Sequence, residues 1–221
     1  MDQPMTRSDS TPSDFPFSTS LSFGSATFDP LDPNALAQLD RLATEGLNDR
    51  SEGIVPMVVQ FHLPVPAGTT DRLIASGFTV LPHYSREGGF IVLAAADSTS
   101  ELAALPGARW AGEYLPALKF EYAEDIPTQG QTQVVVSTFP STGGVWKLVS
   151  VAQANRARVL QIDDHPFWGG YAIIEGEATF LRSLARLPYV DTIEPYVPAV
   201  PIPIIVEKSP SGADLLNGQA S

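Results

Sequence analysis

From residue 57 onward, apolar and polar positions alternate in short bursts that suit brief strands and helices rather than long ones. Met57-Val58-Val59-Gln60-Phe61 predicts a strand, and Thr69-Thr70-Asp71-Arg72-Leu73-Ile74 opens a short helix that Gly77 closes. Phe78-Thr79-Val80-Leu81 and Phe90-Ile91-Val92-Leu93 predict two strands around a polar turn ending in Gly88-Gly89. Ser98-Thr99-Ser100-Glu101 has the spacing of a capping box, ahead of Leu102 and Leu105 at helical spacing. A last strand, 109–114, runs into Pro116.

The same order then returns. Val134-Val135-Val136 predicts a strand, and Gly143-Gly144 precedes a helical stretch through Leu148 and Val151. Arg158-Val159-Leu160-Gln161-Ile162 and Tyr171-Ala172-Ile173-Ile174 predict a strand pair around a turn ending in Gly169-Gly170. Phe180, Leu184 and Leu187 mark a second helix, and 192–196 a closing strand. Leu105 and Leu187, Tyr114 and Tyr196, and Pro116 and Pro198 are each 82 positions apart, so the chain contains an internal repeat. Each unit reads β-α-β-β-α-β, which predicts an α+β protein of two tandem ferredoxin-like units with antiparallel sheets. Right-handed crossovers would place both helices of a unit on one face of its sheet.

This pattern divides the chain into residues 1–55, a first unit over 56–122, a linker over 123–130, a second unit over 131–206 and a tail over 207–221. Residues 1–30 are rich in Ser, Thr, Asp, Pro and Phe without periodicity, and are expected to form a mobile arm. Asp32-Pro33 then resembles an N-cap followed by proline in the first turn, and Leu36, Leu39, Leu42 and Ala43 share one face before Gly46. A short helix is expected near 33–45.

Composition narrows the partners. A formal net charge of −12 opposes nucleic-acid binding, which rests on clustered Lys and Arg, and docking on an anionic membrane. The longest nonpolar run, 196–206, is broken by three prolines and is far shorter than the ~20 residues of a spanning helix. A soluble protein partner is expected instead. The first residues lack a basic region and apolar stretch, so the chain is expected to be cytoplasmic as it stands, or extracellular or in the cell envelope if a signal precedes it.

The absence of cysteine removes disulfides, thiolate metal sites and thiol nucleophiles. His62, His83 and His165 are scattered, and Asp163-Asp164-His165 is expected to be a solvated hairpin turn with no further ligands at useful spacing. No serine sits in a Gly-x-Ser-x-Gly elbow, the glycine pairs precede strands rather than helices, and Glu124-Asp125 falls in the linker. The glycine pairs are expected to supply positive-φ turn positions. Tyr114 and Tyr196 are expected to share a structural role, packing at the core edge with hydroxyls toward solvent, the alternative being that these strand ends face a partner. Trp110, Trp146 and Trp168 share no register and are expected to fill core or interface. No catalytic centre and no cofactor are expected.

One set of segments carries a family resemblance. The run from Leu105 to Lys119, with Arg109-Trp110-Ala111-Gly112-Glu113-Tyr114-Leu115-Pro116-Ala117-Leu118-Lys119 at its core, resembles the Val-Arg-Trp-Val-Gly-x-Tyr-x-Pro-Ala-x-Lys segment in long propeptides of bacterial subtilisin-like serine proteases, specifically the oxidation-resistant alkaline protease branch. Val190-Asp191-Thr192-Ile193-Glu194-Pro195 is similar to the strand that closes such propeptides. Leu215-Leu216-Asn217-Gly218-Gln219-Ala220 resembles the junction at which the mature enzyme begins, with Gly218 where Asp is usual.

The resemblance implies a non-catalytic propeptide that inhibits and helps fold its protease, with its sheet against the enzyme and its C-terminal segment as an added strand in the substrate cleft. Asp214, Leu215, Leu216 and Asn217 would occupy that cleft, and Leu216–Asn217 would be the bond cut. The catalytic motifs of the protease itself are not in these 221 residues. An alternative is a tandem ferredoxin-like regulatory module that binds a small ligand or a protein partner. Recognition of RNA by sheet aromatics is disfavoured by charge and by the missing aromatic-basic motif.

Overall fold

The computed structural model describes residues 19–24, 26–35, 37, 53–84, 87–140, 143–167 and 169–198. Its organising element is the strand β3 (Ile54–Phe61), buried along nearly its whole length. A continuous apolar run with buried residues on both pleat faces is what a strand covered on both sides requires. The sheet around it contains β4 (Thr79–Tyr84), β5 (Gly89–Ala95) and β6 (Ala108–Glu113), in the order β4-β5-β3-β6 and antiparallel at every step. Helices α1 (Thr69–Ala75) and α2 (Thr99–Ala103) connect them. Leu73 and Leu102, one from each helix, join Val55, Met57, Val59, Phe61 and Val92 in a single core, so both helices cover one face.

The opposite face of this sheet is covered too. A hairpin of β1 (Leu21–Phe23) and β2 (Ala26–Phe28) places Leu21, Phe23 and Phe28 against Val58, Leu81 and Ile91. The expectation of a mobile arm over residues 1–30 therefore fails for this stretch. What holds it is apolar burial, with Phe23 edge-on to Tyr114 and Phe28 edge-on to Trp110, together with a polar clasp. Arg109 Nη2 donates to both carboxylate oxygens of Asp29 at 2.8 and 3.1 Å, and Nη1 donates to Gln60 Oε1 at 2.6 Å. Gln60, buried mid-sheet, in turn donates to the carbonyls of Thr19 and Glu87. Residues 33–35 and 37 are helical, and the rest of the helix expected over 33–45 lies outside the described residues.

The second unit repeats the plan. Strands β7 (Gln131–Thr138), β8 (Arg158–His165), β9 (Gly169–Glu177) and β10 (Val190–Pro195) form an antiparallel sheet in the order β8-β9-β7-β10, with helices α3 (Gly144–Ala154) and α4 (Ala178–Ser183) between them. Val145, Leu148, Ala152 and Leu181 pack with Val134, Val136, Ala172 and Ile174 in its core. The molecule is thus mixed α+β, with two four-stranded sheets and one two-stranded sheet. β6 and β10 keep the 82-residue spacing end to end, whereas β3 and β7 begin 77 apart. The second unit has the longer first helix and longer middle strands, partly offset by shorter connections.

Two further expectations are corrected. The Ser98 capping box does not form: Ser98 adopts φ −74°, ψ 3° and its side chain makes no cap hydrogen bond, because an N-cap hydroxyl reaches the helix only from an extended backbone. Packing extends into the stretch between the two sheets. Short 3₁₀ turns at Pro116–Lys119 and Ala123–Asp125 hold Phe120 and Ile126 in the second core, and Glu121 N–H donates to Ile193 O at 2.9 Å. Tyr114 does not reach solvent; it is 3% exposed, and its hydroxyl lies 3.4 Å from the carbonyls of Leu118 and Asp191. Tyr196, at the equivalent position after β10, is half-buried, so the two tyrosines share a sequence position but not an environment.

The glycine pairs act as expected at their first members. Gly88 has φ +78° and Gly169 φ +82°, a region other residues avoid. A Cβ on Gly169 would strike Thr138 O, and one on Gly88 would lie 2.7 Å from Phe61 O. Phe61 and Thr138 end the equivalent strands β3 and β7, so each hairpin starts against the same backbone feature.

Candidate functional site

The two sheets differ in what lies on the face away from their helices. On the first it is hidden by the hairpin, Leu118 and Phe139. On the second, β7 alternates cleanly, with Val134, Val136 and Thr138 inward and Gln133, Val135 and Ser137 outward and only half-buried. Such alternation is what one covered face and one open face produce. Strand register then builds a row across the open side. Glu194 pairs with Val135, Val135 with Ile173, and Ile173 with Gln161. A second row runs from Ser137 to Tyr171 to Asp163.

These rows floor a groove of about 730 Å³, walled by Tyr122, Asp125, Tyr196 and Val197. Val135 and Ile173 make an apolar strip along its middle. In the neighbouring row of the sheet, outside the groove lining, Gln133 Nε2 donates to Glu175 Oε2 at 2.7 Å, and Glu175 faces Arg158 at 3.1 Å. Within the groove, Gln161 Nε2 donates to Tyr171 Oη at 2.7 Å. Burial and the neighbouring Glu121 raise the Glu194 carboxyl above its ordinary value. A β-bulge at Leu160, between Val159 and Gln161, turns the edge strand and brings Gln161 to the groove.

Tyr122 stands at the rim, 58% exposed, with φ +53° at a non-glycine residue. Left-handed backbone of this kind persists only where its surroundings impose it. Here the flanking Phe120 and Ile126 are fixed in the core. The groove therefore holds three tyrosines, an apolar strip and acidic groups at its edge, a surface that can accept an extended or helical segment of another chain.

The histidines do not converge. His62 follows β3 and is exposed, His83 lies within β4, and His165 ends β8, where its Nδ1 accepts from Phe167 N–H at 3.3 Å. Asp163 and Asp164 therefore belong to an exposed edge strand rather than to the turn, and Asp164 Oδ2 accepts from Trp146 Nε1 at 2.7 Å. Trp146 is exposed, Trp110 packs on Phe28, and Trp168 lies outside the described residues. Among the described residues, no three His, Asp or Glu side chains gather to hold a metal ion, and no helix is long and apolar enough to cross a membrane. Asp214, Leu215, Leu216 and Asn217 lie outside the described residues.

Sequence reasoning placed the relevant strands but missed the groove. Its one available signal was the polar residues Gln131-Thr132-Gln133 and Ser137 flanking Val134-Val135-Val136, set against the longer apolar run of β3. No known protein family, curated protein or solved structure matches the chain.

Proposed function

We propose that the chain is the inhibitory, fold-assisting propeptide of a subtilisin-like serine protease, built from two ferredoxin-like units and docking through the open face of the second sheet. The observation that carries this reading is the bare face itself, which lies beside the point where the junction-like C-terminal segment departs. Val197 lines the groove, and Leu215-Leu216-Asn217 begins 18 residues further along the sequence. A sheet seated on the protease would hold residues 214–217 in the substrate cleft as an added strand, with main-chain hydrogen bonds giving affinity and Leu216 filling the first specificity pocket. Binding the native enzyme but not its unfolded chain would favour folding by mass action. The acidic rim of Asp125 and Glu194 suits a neutral or basic protease surface.

Inhibition assays against subtilisin-type proteases test this. The intact chain should inhibit slowly and tightly, a chain ending before Pro210 far less, and a Val135→Glu, Tyr171→Ala double variant less again. Equal potency of intact and shortened chains would sink the tail-in-cleft arrangement. A second reading, a regulatory module for a small ligand or another protein, is favoured by the groove volume, which lies within the range of small-molecule sites. Saturable binding of a metabolite with no protease inhibition would establish it.

A further inference from the structure

The sheet edges are unequally guarded. β4 contains Pro82, which has no N–H to offer a further strand. β6 has no exposed residue, and β10 is bordered by Phe120 and by Glu121, whose N–H donates to Ile193 O at 2.9 Å. β8, the outer strand of the second sheet, is eight residues long and exposed at every position except Val159. Among the described residues no strand lies against its outer edge, and Leu160 and Ile162 are 38% and 37% exposed. A strand edge of this length and apolar content is a template for another strand.

The residues of β8 say which strand fits. Its start is basic, with Arg156 just before it and Arg158 within it. Its middle is Val159-Leu160-Gln161-Ile162, and its end carries Asp163-Asp164. A second β8 running antiparallel brings each basic end to an acidic one. The faces agree as well, because residues directly opposite across an antiparallel pair point to the same side. Arg158 lies opposite Glu175 and Asp163 opposite Tyr171, which puts both on the open face. Val159 lies opposite Ile174 and Ile162 opposite Ala172, core residues on the helix side. One register therefore suits every position: Arg158 faces Asp163 of the second copy, Val159 faces Ile162, and Leu160 faces Gln161. The bulge at Leu160 then falls at the two-fold axis, where each copy meets its own irregularity.

We propose that two copies of the chain associate through β8, edge to edge and antiparallel about a two-fold axis, with residues 158–163 in this register. Such a contact is isologous and closes at a dimer. It extends the second sheet at its edge rather than covering its face, so two open faces lie side by side on one continuous sheet. Each copy carries a net charge of −12. At ~0.15 M salt the Debye length is about 8 Å, so the general repulsion is screened while the facing pairs, in contact, are not.

Sedimentation velocity at rising protein concentration tests this. The intact chain should pass from monomer to dimer and no further. Asp163→Arg sets arginine against Arg158 at two symmetric places and should weaken the dimer about tenfold. Adding Arg158→Asp reverses each facing pair and should restore association, which a merely misfolded variant would not do. The chain has no cysteine, so disulfide trapping can read the register. Val159→Cys chains mixed with Ile162→Cys chains should form the mixed disulfide much faster than either forms its own, because opposite positions are about 5 Å apart and like positions about 10 Å. A monomer at every concentration, a dimer indifferent to Asp163→Arg, no recovery in the double variant, or no preference for the mixed disulfide would each overturn the proposal. No protease enters either measurement, so the inhibition data are judged separately.

Discussion

Two charged side chains are held in ways that make their contributions to stability readable. Lys119 is 2% exposed, donates to Leu187 O at 2.8 Å and lies over the Tyr114 ring. Burial drives its ammonium from the ordinary 10.5 down to about 7, against the pull of Asp191 and Glu113. Between those values the unfolded chain binds more proton than the folded one, so stability from this residue rises with pH and is lost as pH falls toward 7. Lys119→Met should flatten the dependence of urea midpoint on pH between 7 and 10.5 and leave stability at pH 7 equal or higher. Asp29 behaves in the opposite sense. The Leu31 N–H, then the Arg109 guanidinium and the Thr19 hydroxyl, lower its carboxyl from 3.8 to about 2. Its contribution is present above 3.8 and is lost as pH falls to about 2. Asp29→Asn should lower unfolding free energy at neutral pH by about 1.5–3 kcal/mol, the worth of hydrogen bonds to a charged group, and acid titrations should lose this step.

At the scale of elements, the hairpins carry the sharpest constraints. Gly169→Ala adds a methyl group at positive φ and against Thr138 O, and should destabilise by about 1–3 kcal/mol. Urea unfolding measures this, with Gly53→Ala, positive in φ but open in space, as the comparison for backbone strain alone. The eight strands of the two units were legible because their apolar runs are bounded by glycine pairs and prolines, and because the repeat checks each assignment against the other. The β1–β2 hairpin was not, since three-residue strands give too little alternation to stand out from a Ser- and Thr-rich background. Leu21, Phe23 and Phe28 were its trace. The Ser98 spacing misled because a capping box depends on backbone conformation as well as residue order. The groove was illegible for a different reason. Val135, Ile173, Gln161 and Glu194 meet only through strand register, and register is not written in any one segment.

For the whole molecule, the two units are interlocked rather than strung together. Phe139 from the second unit packs 6.2 Å from Tyr114 in the first unit's outer core, while Phe120 and Ile126 enter the second. Denaturation should therefore be a single transition by circular dichroism and by tryptophan fluorescence alike. A fragment starting at residue 115 should be more stable than one starting at 131, which lacks Phe120 and Ile126; equal stability would show the segment to be dispensable.

The hairpin seated on the first sheet has a consequence for counting. A duplicated fold ordinarily offers its surface twice, and a partner that recognised one copy would recognise the other, giving a bivalent molecule prone to crosslinking. Here the first copy is already occupied by Leu21, Phe23 and Phe28, so the repeat has two similar scaffolds but one valence. Titration calorimetry with any partner of the open face should give one site per chain, and the duplication then serves to widen the platform rather than to multiply the grip.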